Sequence, residues 1–216
     1  MAKEGFSIIL VMLVFALILS VGAWVNNGHL ALTISAAVMW ILFLFTIYFF
    51  RDPQRSIPEN PDAIISAADG TVTAIEEIYE PAFFDKKVTC VRIFLSIFNV
   101  HVNRIPVNGS VEYFDYQRGK FYAAYRKVAA EENEQTLVGI KGEHCDVLVK
   151  QIVGAIARRI VCHVRTGHKV TRGDRFGMIK FGSCVEMYMP SDVKISVQKG
   201  DKVRGGETII GYVHAE

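Results

Sequence analysis

The sequence predicts a mainly β domain (α+β overall), an antiparallel sandwich or barrel, carried behind an N-terminal transmembrane helical hairpin. Two observations carry this prediction. Between Glu4 and Arg51 the chain contains no Asp, Glu, Lys or Arg. Beyond Pro61 it breaks into short strand-like runs punctuated by turn residues, at spacings that favour antiparallel pairing over a parallel α/β order. A length of 216 residues leaves room for one ordinary domain plus that extra piece.

The charge-free block divides into residues 6–24 and 30–50, joined by Asn26-Asn27-Gly28-His29. Each half is close to the roughly 20 apolar residues that cross a bilayer core as a helix. The small residues Ser20-Val21-Gly22-Ala23 also suit the end of a signal peptide. A second apolar run follows at once, so removal of the first would still leave an anchor. Lys3 stands on one side of the block and Arg51 and Arg55 on the other, with no Lys or Arg in the turn. That bias places both termini, and the domain that follows, on the cytoplasmic side of the cell (inner) membrane. Residues 1–50 are therefore read as the anchor and RDPQRSIPENP, residues 51–61, as a linker whose prolines and charges end any helix. The globular domain is read as residues 62–216.

The net charge is +2, and removing Lys3 and Glu4 leaves it unchanged, so charge gives no reason to invoke nucleic acid. Arg158, Arg159, Arg165, Lys169 and Arg172 form a basic cluster that reads as a solvated face, with anionic lipid the alternative. Cys90, Cys145, Cys162 and Cys184 show neither C-x-x-C nor zinc spacing, so no metal is expected. Reduced, structural thiols suit a cytosolic domain.

Strand character is expected over residues 63–67, 71–78, 88–95 and 109–114, then over 136–140, 145–149 and 160–164. Residues 122–135 carry helical propensity and read as a helix or an ordered loop. Near the C-terminus, Gly167-His168-Lys169-Val170-Thr171-Arg172-Gly173-Asp174 is echoed by Gly200-Asp201-Lys202-Val203-Arg204-Gly205-Gly206-Glu207. Each unit leads into an apolar strand, 176–181 and 208–213. The pattern resembles the turn-strand units of lipoyl and biotinyl carrier domains, but neither copy presents a modifiable lysine in a hairpin.

Four stretches could hold chemistry. Asp69-Gly70 between two apolar runs signals a turn. His101 lies in the apolar run 94–106, where histidine is ordinarily a core residue. Asn133-Glu134-Gln135 is a polar loop. Within residues 179–189, a strand-like run broken at Gly182-Ser183, the glycine leaves its carbonyl open to attack by the next hydroxyl. An Asp, a His and a Ser are the parts of a relay in which imidazole takes the hydroxyl proton and carboxylate orients the ring.

In order and spacing, these motifs resemble the phosphatidylserine decarboxylases of the short, membrane-anchored bacterial and archaeal type. The resemblance covers FFRDPQRSIP (49–58), SAADGTV (66–72), FLSIFNVHVNRIPVNG (94–109), NEQ (133–135), QIVGAIARRIV (151–161) and KFGSCVE (180–186). It implies a pyruvoyl enzyme that makes its own cofactor. Ser183 attacks the Gly182 carbonyl to give an ester, and β-elimination and hydrolysis leave a pyruvoyl group in place of Ser183. The cut separates a large subunit, 1–182, from a small subunit, 183–216. The ketone then forms an imine with the substrate amine and accepts electrons as carbon dioxide leaves, so that phosphatidylserine becomes phosphatidylethanolamine. The resemblance also implies a membrane-lipid substrate and suggests a homodimer.

By the same resemblance, Asp69 is the relay acid and His101 falls on the first of two family histidines, which assists decarboxylation. Arg104 stands where the second, the relay base, is expected, and arginine is not a base. Either His101 serves both steps, which is favoured, or His163 or His168 supplies the base. Phe83, Phe84, Phe121 and Tyr122 shield the acyl side of the pocket or pack the core. Three alternatives bound the reading. A non-enzymatic lipoyl-like carrier or adaptor would leave Asp69, His101 and Ser183 unexplained. A pyruvoyl enzyme for a soluble amino acid would leave the two spans without a role. A related phosphoserine lipid such as archaetidylserine would use the same chemistry.

Overall fold

The computed structural model describes residues 1–122, 128–155, 159–180 and 183–213. Two compact units emerge, Met1–Pro53 and Gln54–Glu216. In the first, α1 (Phe6–Val25) and α2 (Leu30–Phe49) form a hairpin, and both are long and apolar enough to cross a membrane. The turn reverses the chain through positive φ at Asn27 and Gly28, conformations open to Asn and Gly. Ala16, Ala23 and Ala36 are buried, letting the helices approach closely. Trp40 Nε1 donates to Ser20 Oγ at 3.1 Å, pinning one helix to the other.

The second unit contains β1 (Ala63–Ile65), β2 (Gly70–Glu80), β3 (Lys86–Leu95), β4 (Val102–Arg104), β5 (Gly109–Gln117), α3 (Ala129–Glu132), β6 (Gln135–Gly142) and β7 (Val147–Val153). Seven more strands follow: β8 (Ile160–Cys162), β9 (Lys169–Val170), β10 (Arg175–Ile179), β11 (Ser183–Pro190), β12 (Lys194–Ile195), β13 (Lys202–Val203) and β14 (Ile209–Tyr212). All pair antiparallel. An eight-stranded sheet runs β13-β2-β3-β11-β7-β6-β5-β9, and two three-stranded sheets run β4-β10-β8 and β1-β14-β12.

The mainly β, antiparallel expectation agrees with these sheets. Within residues 122–135, read as a helix or an ordered loop, the described residues form the short α3, and residues 123–127 lie outside them. The strand-like run 179–189 divides between sheets: β10 ends at Ile179 beside β4 and β8, and β11 begins at Ser183 between β3 and β7. The chain therefore changes sheets between Ile179 and Ser183.

Alternation places Val185, Met187 and Met189 of β11 in the main core with Val91, Ile93 and Leu95 of β3 and Val147, Val149 and Val153 of β7. The opposite face carries Cys184, Glu186 and Tyr188. Glu186, 1% exposed, accepts from Arg92 Nε at 2.6 Å and from the Tyr188 hydroxyl. Losing one member of a buried pair leaves the other charge uncompensated. Arg92→Met is therefore expected to lower unfolding free energy by roughly 3–5 kcal/mol, which denaturant melting of the folded protein will measure. Phe83 and Phe84 join Val88, Cys90, Leu148 and Tyr188 on this outer face, so for both the core-packing reading holds.

The sequence echo is also an echo of backbone. Gly167 and Gly200 have φ of +91° and +101°, and Gly173 and Gly206 have +89° and +85°. The Val111 and Gly167 N–H groups donate to the His168 and Val111 carbonyls at 2.9 and 2.8 Å, as those of Val72 and Gly200 do to Asp201 and Val72. The match extends to the strands these turns cover, since Ala68-Asp69-Gly70-Thr71-Val72 parallels Val107-Asn108-Gly109-Ser110-Val111.

Candidate active site

Strand register brings the three expected catalytic residues toward one end of the large sheet. Both β2 and β11 run antiparallel to β3, with Thr71 and Cys184 each opposite Phe94. Asp69, two residues before Thr71, and Ser183, one before Cys184, therefore lie beyond the same row. The chain leaves β3 at Leu95 and turns at once. Asn99 Oδ1 accepts from the Ser96 N–H at 2.9 Å and its hydroxyl at 2.8 Å, and this local turn delivers His101 to the start of β4.

Three bonds then tie the segments together. The Arg104 N–H donates to the Ala67 carbonyl at 2.9 Å, holding β4 against the Asp69 turn. The Ala67 N–H donates to Met187 Sδ at 3.4 Å, holding that turn to β11. The Ile179 N–H donates to the His101 carbonyl at 3.3 Å, setting the histidine beside the strand that precedes Ser183.

Ser183 is fully buried. Its side chain takes the core-facing parity of Val185 and Met187, and its Oγ has no hydrogen-bond partner among the described residues. A buried hydroxyl left without a partner costs about 1–3 kcal/mol. Gly182, the other half of the expected scissile bond, lies outside the described residues.

His101 is fully buried, and its Nδ1 lies 3.0 Å from the Asn99 carbonyl. A carbonyl only accepts, so Nδ1 carries the proton and Nε2 is the basic nitrogen of the neutral ring. Asp69 accepts from Arg55 Nη2 at both carboxylate oxygens, at 2.8 and 2.9 Å, and from the Gly205 N–H at 2.8 Å. Arg104 is buried and donates from Nη1 to the Gly173 carbonyl at 2.9 Å, a guanidinium with a structural bond in the place of the second family histidine. The reserve histidines stand in loops next to other strands. His163 follows β8 and donates its N–H to the Phe176 carbonyl at 2.8 Å, and His168 lies in the turn before β9.

The other matched motifs hold the surroundings in place. Within the core, Thr136 Oγ1 donates to Gln151 Oε1 at 2.6 Å and Gln151 Nε2 donates to Asn103 Oδ1 at 2.7 Å, fastening β6, β7 and β4 together. Asn133 Nδ2 donates to the Val153 carbonyl at 2.8 Å and its Oδ1 accepts from the Tyr122 N–H at 2.8 Å. Val153 is the β7 residue opposite Ser183. Asn103, Asn133 and Gln151 lie in stretches that carried the resemblance, without having been singled out for these bonds, and Thr136 lies just beyond one of them.

Two larger clefts, of about 580 and 500 Å³, are lined by outer-face residues such as Cys184, and Glu186 with Lys150. Ser183 takes the opposite parity and lines neither of them. The four cysteines are unpaired. Burial pushes the thiols of Cys90, Cys162 and Cys184 up and that of Cys145 up to about 12. At pH 8 the thiolate fraction at Cys145 is then on the order of 10⁻⁴. Iodoacetamide should leave the native protein unlabelled over minutes and label all four cysteines after denaturation, as mass spectrometry will count.

A family model for phosphatidylserine decarboxylase matches residues 42–211. The chain belongs to the phosphatidylserine decarboxylase family. Relatives named phosphatidylserine decarboxylase proenzyme include one from Carboxydothermus hydrogenoformans, 50% identical over 82% of this chain and 83% of its own. One from the Wolbachia of Brugia malayi is 43% identical over 88% and 91%, and one from Ehrlichia ruminantium is 41% identical over 98% and 90%. Membership in the phosphatidylserine decarboxylase family gives Ser183, the first residue of β11, a chemical context. The orphaned, buried Ser183 Oγ also fits the pyruvoyl group. The ketone of a pyruvoyl group stands on Cα, where the amide nitrogen was, and Cβ becomes a methyl, so the buried position loses a hydroxyl that has no partner among the described residues.

Proposed function

We propose that the chain is a self-processing proenzyme that converts phosphatidylserine to phosphatidylethanolamine and carbon dioxide. The observation that carries this is Ser183: a buried hydroxyl without a described partner, at the first position of a central strand, one residue after a glycine. In processing, Ser183 Oγ adds to the Gly182 carbonyl carbon while His101 Nε2 takes the hydroxyl proton. The C–N bond breaks, and that proton passes to the departing nitrogen of residue 183, leaving an ester. Asp69 favours the positive charge that His101 gains. Loss of the Cα hydrogen of residue 183 as a proton to water expels the Gly182 carboxylate and leaves a dehydroalanine, whose imine tautomer takes up water and releases ammonia, giving subunits 1–182 and 183–216. Once formed, the pyruvoyl group supplies an electron sink for loss of the substrate carboxylate. His101 is then the residue placed to hold or return a proton on the inner face.

A lipid with two acyl chains has almost no free concentration in water. The two apolar helices suit a catalytic unit kept at the membrane, and the basic flanks favour its cytoplasmic side. The repeated glycine conformations support the lipoyl-like reading of the C-terminal units. Family resemblance supports a homodimer.

Denaturing electrophoresis and the intact mass of the smaller fragment test the proposal. A fragment beginning at residue 183, with pyruvoyl in place of serine, is the expected result. A single full-length chain that still decarboxylates phosphatidylserine would overturn it.

A further inference from the structure

Asp69 is held by more than its turn requires, and the internal repeat shows how much more. Its counterpart in the other half is Asn108, whose Oδ1 accepts from the Arg172 N–H at 2.8 Å, just as Asp69 Oδ1 accepts from the Gly205 N–H at 2.8 Å. Closing the turn therefore needs one acceptor oxygen, and an amide provides it. Asp69 carries a full charge, and Arg55 is committed to it from the start of the second unit. The two side chains are only 6% and 12% exposed, and one guanidinium nitrogen reaches both carboxylate oxygens. Arg55 Nε is buried with no partner among the described residues, so the group is placed for the carboxylate at the expense of its own satisfaction. Gly206, at φ of +85°, lies against both arginines of this region: a Cβ there would come to 2.7 Å from Arg104 Cδ and would touch Arg55 Cβ and Cγ at 3.4 Å.

We propose that Arg55 is a positioning residue for self-processing, acting through Asp69: it keeps the carboxylate ionised and fixes its oxygens while His101 takes up a proton. This rests on the reading of Asp69 as the relay acid. A cation beside a carboxylate favours its charged form, and a two-oxygen contact restricts its rotation. Other charged groups on the elements that bond to this turn are Arg104, Arg204 and Glu207, with Lys202 on β13 and Glu186 on the outer face of β11. Glu207 also accepts from Arg55 Nη1, at 3.4 Å. His101 is the titratable group two residues before Asn103. The stretch read from sequence as a membrane linker thus contributes to the machinery of the cut.

The test is a double-mutant cycle on the full-length chain made in a cell-free system with lipid vesicles. Cleavage is followed on denaturing gels, at a temperature where melting shows each variant folded. Asp69→Asn should fold, because Asn108 makes the same turn bond, and should cleave on the order of 10²-fold more slowly. Arg55→Gln should cleave at least roughly 10-fold more slowly, as part of that same contribution. The double variant should be no slower than Asp69→Asn alone. Guanidinium added to the buffer should speed Arg55→Gln and leave Asp69→Asn unchanged. Asn108→Asp, the mirror control, should cleave normally.

Wild-type cleavage by folded Arg55→Gln, or losses that multiply in the double variant, would overturn the assignment of Arg55 and leave that of Asp69 standing. Normal cleavage by Asp69→Asn would overturn both. If Arg55→Gln does not fold, Arg55→Lys carries the cycle. It should be slowed, with no further loss on adding Asp69→Asn, and a normal rate would overturn the proposal.

Discussion

Ser183→Ala will remain a single full-length chain and will form no phosphatidylethanolamine. The atom lost is one oxygen that has no hydrogen-bond partner among the described residues, so its removal breaks no hydrogen bond to them. Replacing an unsatisfied buried hydroxyl by hydrogen is neutral or slightly stabilising. The melting temperature should therefore stay level or rise while processing stops completely, a combination that separates a chemical role from a structural one. Gels will show one band in place of two, and radiolabelled substrate will show no carbon dioxide. A variant that still splits at this point would mean that another nucleophile makes the cut.

His101→Gln is the second large effect. General-base assistance is worth on the order of 10²- to 10⁴-fold, and cleavage should slow by a factor in that range. Gln keeps an N–H for the Asn99 carbonyl and much of the buried volume, so melting should change little beside the rate. The same variant decides between the histidines. If His163 or His168 supplies the base, His101→Gln will be processed at the ordinary rate, and substitutions at those positions will carry the loss instead. Arg104 is no candidate, since it stays protonated and its Nη1 is bonded to the Gly173 carbonyl.

Much of the large sheet was legible because β2, β3, β5 and β6 are long alternating or apolar runs bounded by turn residues. The two-residue strands β9, β12 and β13 were not, because two residues cannot display a period. Residues 94–106 read as one apolar run, yet they contain the end of β3, a turn and β4. The break was signalled only by Ser96 and Asn99, whose side chains make that turn. At the site, Gly182-Ser183, Asp69 and His101 carried local signatures. The clamp on Asp69 carried none, because Arg55 sits in a proline-rich flank where basic residues have a ready explanation in membrane orientation. The Asn103–Gln151–Thr136 chain was equally silent, since its members meet only when β4 is laid over β6 and β7. Long-range polar pairs leave no periodic trace in a sequence.

Ser183 opens a strand that is bonded to a neighbour along both edges, β3 on one and β7 on the other. The segment behind it also supplies β12, β13 and β14. A break just ahead of this strand severs the polymer without loosening the weave, so the nicked protein should sediment and elute as one particle. The same weave makes the event a one-way door. Once denaturant has parted the pieces, the shorter would have to find its slot between two strands as a free solute, without the tether that first guided it there.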